Sequence, residues 1–386
     1  MKTKVLFCGW DTHIEKRIED ALRNLGSFET ERYLCQFRDY KMDAVLAQEL
    51  LFKIHEQKSD CLFSVNFVPM LAEIAKTAGI LYISWLQDSP NLTLYYPCVA
   101  YETNRIFSFD SAECMKVRNK TGANIYYLPL ASSPKYFEKC IAASAMEVEN
   151  KVCFLGTSYK GKYYDRAEAS LSPYEKGYYE GLMAAGSNLF GCSIIEEVLL
   201  PEKAKALLER CQVPRPEDYL MTEVELATYI LEQKMSSDNR LQMLPKIAEK
   251  YPVVIYSGSD DWKHPGIIYK GYADYETQMP VIYHKSAINL NFTLRSIRTG
   301  MPLRVMDILA CEGFLLTNYQ QDLVDAFVPE EELSVFESWD ELLDKVDYYM
   351  ERPEVRREIA KKGKEKIEKY FTYEMQLAKL FEMAFA

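Results

Sequence analysis

The stretch that decides the fold is "INLNFTLRSIRTGMPLRVMDILACEGFLLTN", residues 288–318. It opens on one apolar run and closes on another, as two buried strands do. Between them the spacing predicts a loop over residues 293–301 and a helix over 302–311, stopped at Gly313. Pro302 suits a first helical turn, and Gly300 permits a tight approach just before it. A loop that leaves a strand's carboxyl end and enters a helix's amino end favours anions, because free N–H groups and the positive end of the helix dipole point the same way. From Thr277 through Met306 there is no Asp or Glu, yet the window holds His284, Lys285, Arg295, Arg298 and Arg304. In a chain of net charge −11 that sign predicts a phosphate-bearing ligand. The ordinary alternative is that these arginines pair with acids elsewhere in the chain. Asp307 is the first acid after the window. It either pairs with Arg304 within the helix, worth about 0.3–0.5 kcal/mol, or accepts hydrogen bonds from two vicinal hydroxyls, as on a ribose.

Working outward, short apolar runs alternate with amphipathic stretches along the chain. Residues 4–9, 61–67, 80–85 and 105–110 read as strands, as does the run "IYYLPL". The helix that follows the first strand ends at Gly26, and the one starting near Pro69 ends at Gly79. After the polar segment 142–150 the rhythm resumes with strands "KVCFLG", "VVIYSG", "IIYKG", "AINLNF" and "FLLTN". Residues 163–250 interrupt it as a mostly helical segment. This βαβα order predicts parallel sheets covered on both faces, in two doubly wound domains facing a cleft. The boundaries expected are 1–148, 149–370 and a terminal helix 371–386 that packs back on the first domain. At 386 residues, two cores are expected rather than one.

Composition removes several classes of function. The acidic balance argues against a nucleic-acid-binding surface. Ten cysteines include no CxxC pair, and His13, His55, His264 and His284 lack metal-ligand spacing, so no metal and a set of free thiols are expected. No run reaches the ~18 apolar residues of a membrane span, and the amino terminus reads as a first strand rather than a signal peptide. The expectation is a cytoplasmic protein. No GxGxxG or Walker spacing follows any strand, which counts against NAD binding and nucleoside triphosphate hydrolysis.

Other residues could carry chemistry. Asp88, in "SWLQDSP", follows a strand and is a candidate general base, with a simple turn as its alternative. "CGWDTH" is a strand-to-helix loop in which Thr12 can cap the next helix. Tyr272 follows a strand and a glycine, where its ring could stack on a base.

Taken together, residues 288–318 resemble the carboxyl-terminal domain of the spore-maturation CgeB-like glycosyltransferases, within the GT-B-fold transferases that carry a group 1 domain. "WLQDSP", "FSFD", "YLPLASSP", "FLGTSY", "YKGYADYETQMP" and the tail "EIAKKGKEKIEKYFTYEMQLAKLF" fall in the order that family shows. The resemblance implies a GT-B architecture and a metal-independent, hexosyltransferase-type enzyme. It would move a sugar from a nucleotide-diphosphate sugar, expected to be a UDP-sugar, to a glycan, protein or peptide hydroxyl. It implies no other cofactor. By the same resemblance Asp307 would hold the ribose, and Arg295, Arg298, Thr299, Gly300 and Arg304 would lie near the donor diphosphate. Tyr272 would lie near the base, and Gly9, Trp10 and Asp88 would form the amino-terminal wall, with Asp88 and then His13 as base. Thr299 stands where many retaining relatives carry a Glu, and Asp307 is shorter than their usual Glu. A GT-B-fold epimerase or hydrolase, or a non-catalytic nucleotide-sugar-binding protein, is the alternative function.

Overall fold

The computed structural model describes residues 2–36, 43–213 and 215–386. Two six-stranded sheets organise the chain, and every strand pairing within them is parallel. The first contains β1 (Thr3–Gly9), β2 (Phe28–Leu34), β3 (Cys61–Val65), β4 (Leu81–Trp85), β5 (Asn104–Ser108) and β6 (Ile125–Tyr127), in the order β2-β1-β3-β4-β5-β6. The second contains β7 (Val152–Leu155), β8 (Val253–Tyr256), β9 (Ile267–Tyr269), β10 (Ile288–Asn291), β11 (Leu315–Asn318) and β12 (Ser334–Phe336), in the order β12-β11-β10-β7-β8-β9. Central strands such as β3 and β8 are buried along their whole length, which is why they read as continuous apolar runs. Sequence reading missed β2 and β12. β2 is an edge strand with no buried residue, and β12 has only three residues. The motif that opened the sequence is β10, a loop, the helix Leu303–Ala310 and β11, with Pro302 as the residue before the helix.

Strand order reverses once in each sheet, between β1 and β3 and between β7 and β10. These are the topological switch points where a doubly wound sheet opens a crevice at its carboxyl edge. The two crevices face each other. The terminal helix Tyr373–Phe385 lies on the first domain: Phe381 stacks on Phe63, and Tyr373 meets Trp85 edge-on. Helices of residues 163–248 form one continuous core with the other face of the first sheet, where Leu6, Leu62 and Tyr82 join Tyr179, Leu207 and Leu231. The segment therefore packs on the first domain, although it interrupts the sequence of the second.

Candidate active site

The cleft between the switch points has a volume of about 850 Å³. From the first domain Trp10 follows β1, Asn66 follows β3, and Gln87 and Asp88 follow β4. From the second, Tyr159 follows β7, Thr293 follows β10, and Leu303 and Arg304 begin the next helix. The long helix Glu223–Ala248 adds Tyr229, Gln233 and Arg240.

Two guanidinium groups dominate its charge. Arg304 donates to the Asn291 side-chain carbonyl at 3.0 Å and lies over Phe154. A Cβ at Gly156 would come within 2.8 Å of the guanidinium, so a larger residue there would displace the end of the Arg304 side chain. Arg240 is 1% exposed and donates to the Thr157 carbonyl at 2.9 Å and to the Phe292 carbonyl. Its Nε has no partner. Among the described residues no carboxylate pairs with either arginine; their neighbours are carbonyl oxygens, an amide oxygen and aromatic rings. Burial and the nearby Arg304 pull Arg240 down to about 10, which leaves it cationic at neutral pH. Tyr159 sits beside it, with the Arg240 guanidinium 4.6 Å from the ring centroid. Burial pushes the Tyr159 hydroxyl up, but the two guanidiniums outweigh it and hold the pKa below the ordinary tyrosine value. One buried and one half-buried guanidinium without acid partners make this end of the cleft suited to an anion. The amino end of the helix Leu303–Ala310 opens at the same place, and its first N–H groups have no acceptor within the helix.

Residues 240–382 match the family model described as glycosyl transferase-like. No curated protein matches the chain. Among solved structures it is similar to a glycosyltransferase from Rickettsia africae, at 10% identity and a TM-score of 0.55 over 99% of this chain and 98% of that one. Sucrose-phosphate synthase from Thermosynechococcus elongatus superposes at 8% identity and a TM-score of 0.57, over 100% and 99% of the two chains. Anabaena Alr3699/HepE, solved in complex with UDP-glucose, superposes at 11% identity and a TM-score of 0.54, over 98% of each. At such identities the likeness is one of fold, and the fold is GT-B.

The opposite wall carries the candidate proton acceptors. Among the described residues lining the cleft, the carboxylates are Glu15 and Asp88. Glu15 is fully committed: it accepts from the amides of Trp10 and Thr12 and from Arg32, and with Thr12 it closes a capping box on the helix His13–Leu25. Asp88 is exposed to the cleft and accepts from the Asn66 amide at 2.8 Å. Asn66 stands at φ 60 and also accepts from the Gln87 amide at 2.8 Å, so one strained residue sets the direction of Asp88. The His13 ring stacks on Tyr275 with centroids 3.7 Å apart. Burial lowers its pKa, against the pull of Glu276, so the imidazole is neutral at pH 7.

Several residues expected at the donor site lie elsewhere. Arg298 pairs with the buried Glu232 at 2.5 Å and reaches Glu196 at 3.6 Å, so it follows the ordinary alternative of an ion pair. Arg295 donates to the carbonyls of Ser187 and Leu189 and stacks on Phe190, which ties the helical segment to β10. Thr299 donates to Asp110 at 2.8 Å and lies 3.0 Å from the Ser111 hydroxyl, across the domain joint. A Cβ at Gly300 would meet the Phe109 carbonyl at 2.7 Å, so its close approach serves that joint. Asp307 is 3% exposed, accepting from Ser132 at 2.7 Å and Tyr275 at 2.8 Å. Contact with a ribose would require it to give up those bonds. Tyr272 is 75% exposed and, like Gly9 behind Trp10, is not part of the cleft lining. Of the expected donor residues, the structure brings Arg304 into the cleft, along with Trp10, His13 and Asp88 from the facing wall.

Arg240, Tyr159 and Asn66 escaped sequence reading. The signal for Arg240 was present: "SSDNR" places polar residues inside a long helix, and Ser236, Ser237, Asn239 and Arg240 are all buried. No group of three or more His, Cys, Asp or Glu among the described residues is arranged to hold a metal ion. No described helix is long and apolar enough to cross a membrane.

Proposed function

We propose that the protein transfers a sugar from a nucleotide-diphosphate sugar to an acceptor hydroxyl in this cleft. The observation that carries the reading is the pair Arg240 and Arg304, two guanidiniums without acid partners beside an open helix amino end. It is supported by the glycosyl transferase-like match over residues 240–382 and by a fold shared with a protein solved with UDP-glucose. The finer assignment to a CgeB-like, hexosyl-transferring enzyme acting on a glycan, protein or peptide rests on the sequence resemblance.

In the reaction the bond between the anomeric carbon and the phosphate oxygen breaks, and its electron pair stays on the phosphate. The acceptor oxygen forms the new bond to that carbon and loses its proton. Arg240, Arg304 and the helix N–H groups stabilise the growing charge of the leaving diphosphate, with no metal ion invoked. Asp88 takes the proton. Its exposed carboxylate, fixed by Asn66, is the free acid of the facing wall. Thr299 is engaged by Asp110 and supplies no second carboxylate.

Titration with UDP, GDP, dTDP and ADP tests the donor site; binding of none of them refutes the proposal. Product analysis with and without an acceptor panel separates transfer from hydrolysis or epimerisation, which would consume the donor alone. Asp88→Asn should lower kcat by about 10²–10⁴-fold and leave nucleotide affinity unchanged. An undiminished kcat removes Asp88 as the base.

A further inference from the structure

Four buried polar atoms in the cleft wall have no partner: Arg240 Nε, Gln233 Oε1, Gln87 Oε1 and Ser296 Oγ. Arg240 belongs to the anion site, and the other three are neutral. Gln233 and Arg240 share one face of the long helix, seven residues or about 10 Å apart along its axis. Tyr229 lies one turn further toward the amino end of that helix, and its hydroxyl accepts from Gln233 Nε2 at 2.5 Å. That bond fixes the amide and leaves its carbonyl oxygen over. Ser296 is 5% exposed and lines the same cleft. Phe67, Leu92 and Phe292 supply apolar surface to the same cavity. The wall therefore changes character along one helix, from cationic at Arg240 to neutral and hydrogen-bonding at Gln233.

We propose that Gln233 and Ser296, with Tyr229 holding Gln233, read the hydroxyls of the sugar that the donor carries. This deepens the function proposed above and rests on it. A neutral acceptor oxygen and a serine hydroxyl match uncharged sugar hydroxyls, whereas a phosphate or carboxylate would call for a cation there. The apolar residues suit the C–H faces of a ring. The spacing leaves room for one sugar between a phosphate at Arg240 and the amide of Gln233. Leaving buried polar atoms unpaired disfavours the empty protein, and the cost is relieved when a ligand supplies the partner.

The test compares a nucleotide with its own sugar conjugate by calorimetric titration. The probes are UDP with UDP-glucose, GDP with GDP-mannose, dTDP with dTDP-glucose and ADP with ADP-glucose. Gln233→Leu and Ser296→Ala should leave the nucleotide Kd within twofold of wild type and weaken the nucleotide sugar about tenfold. Ser296→Ala should not lower the Tm of the ligand-free protein, because it removes an unpaired hydroxyl, and a merely structural role predicts a lower Tm. Gln233→Leu also gives up the bond to Tyr229, so it is read only by the difference between its two affinities. Nucleotide-sugar affinity within twofold of wild type overturns the inference, as does equal weakening of both probes or a wild type that gains nothing from the sugar. Failure of the wild type to bind any nucleotide refutes the underlying function instead, and is seen before any variant is made.

Discussion

Arg240 and Arg304 line the cleft without an acid partner, whereas Arg295 and Arg298 lie at the seams between the helical segment and the second sheet with their groups satisfied. Three of the four come from one short stretch of sequence. What separates them is the partner each finds: Arg298 meets Glu232, Arg295 meets two carbonyls, and Arg304 meets an amide oxygen and the ring of Phe154 at the cleft. A cationic stretch thus combines two tasks, holding the fold and holding a ligand. The partners that divide the tasks lie outside the loop: Glu232 on the helix Glu223–Ala248, Ser187 and Leu189 in the helical segment before it, and Asn291 at the end of β10.

The largest effect expected from breaking this division is in stability. Arg298→Ala leaves Glu232 buried and unpaired, which should cost about 3–5 kcal/mol in chemical denaturation. Nucleotide affinity of the folded variant should change little, and a large selective loss of affinity would move Arg298 to the ligand side. Arg304→Met should do the reverse. Nucleoside diphosphate affinity should fall about a hundredfold, or about 2.7 kcal/mol, while thermal stability holds or rises as the half-buried Arg304 no longer repels the buried Arg240. A marked fall in stability with affinity intact would reverse the assignment of the two pairs.

A smaller effect concerns Asp307, which lies beyond the same loop. Burial pushes its carboxyl up to about 7, with Ser132, Tyr275 and Arg304 pulling it back. The folded state therefore keeps a proton that the unfolded chain releases near pH 4. Stability from this group is complete below pH 4 and is lost as pH rises through about 7. Asp307→Asn should remove that dependence and gain about 1 kcal/mol on wild type between pH 6 and pH 7, measured by denaturation at each pH. A pH-independent difference would place the proton elsewhere.

The parallel strands were legible because burial on both faces gives unbroken apolar runs such as "CLFSV" and "VVIY". β2 was not, since its alternating charges, "FETERYL", are those of an exposed edge. The cleft's position followed from the strand-loop-helix unit and its missing acids. Which arginine faced the ligand did not follow, because spacing within the loop carries no information about Glu232 or Asn291. Asp307 shows the same limit: its neighbours Ser132 and Tyr275 come from outside its helix, and they turn a polar position into part of the joint.

The long helix has a mechanical consequence. Near its amino end Glu225 is held by Lys116 and Lys120 of the first domain, and the Leu220 amide just before it donates to the Tyr95 carbonyl. Its carboxyl end buries Leu244 and Ile247 in the core of the second sheet. One rigid rod of about 39 Å thus spans both halves and carries Tyr229, Gln233 and Arg240 on the way. It works as a calliper fixed to both jaws. Widening the aperture would require breaking its anchors as well as the Asp110–Thr299 and Ser111–Asp322 bonds of the joint. Whatever enters the cleft therefore meets a preset gap, and a mutation at an anchor far from the cleft would change which molecules fit.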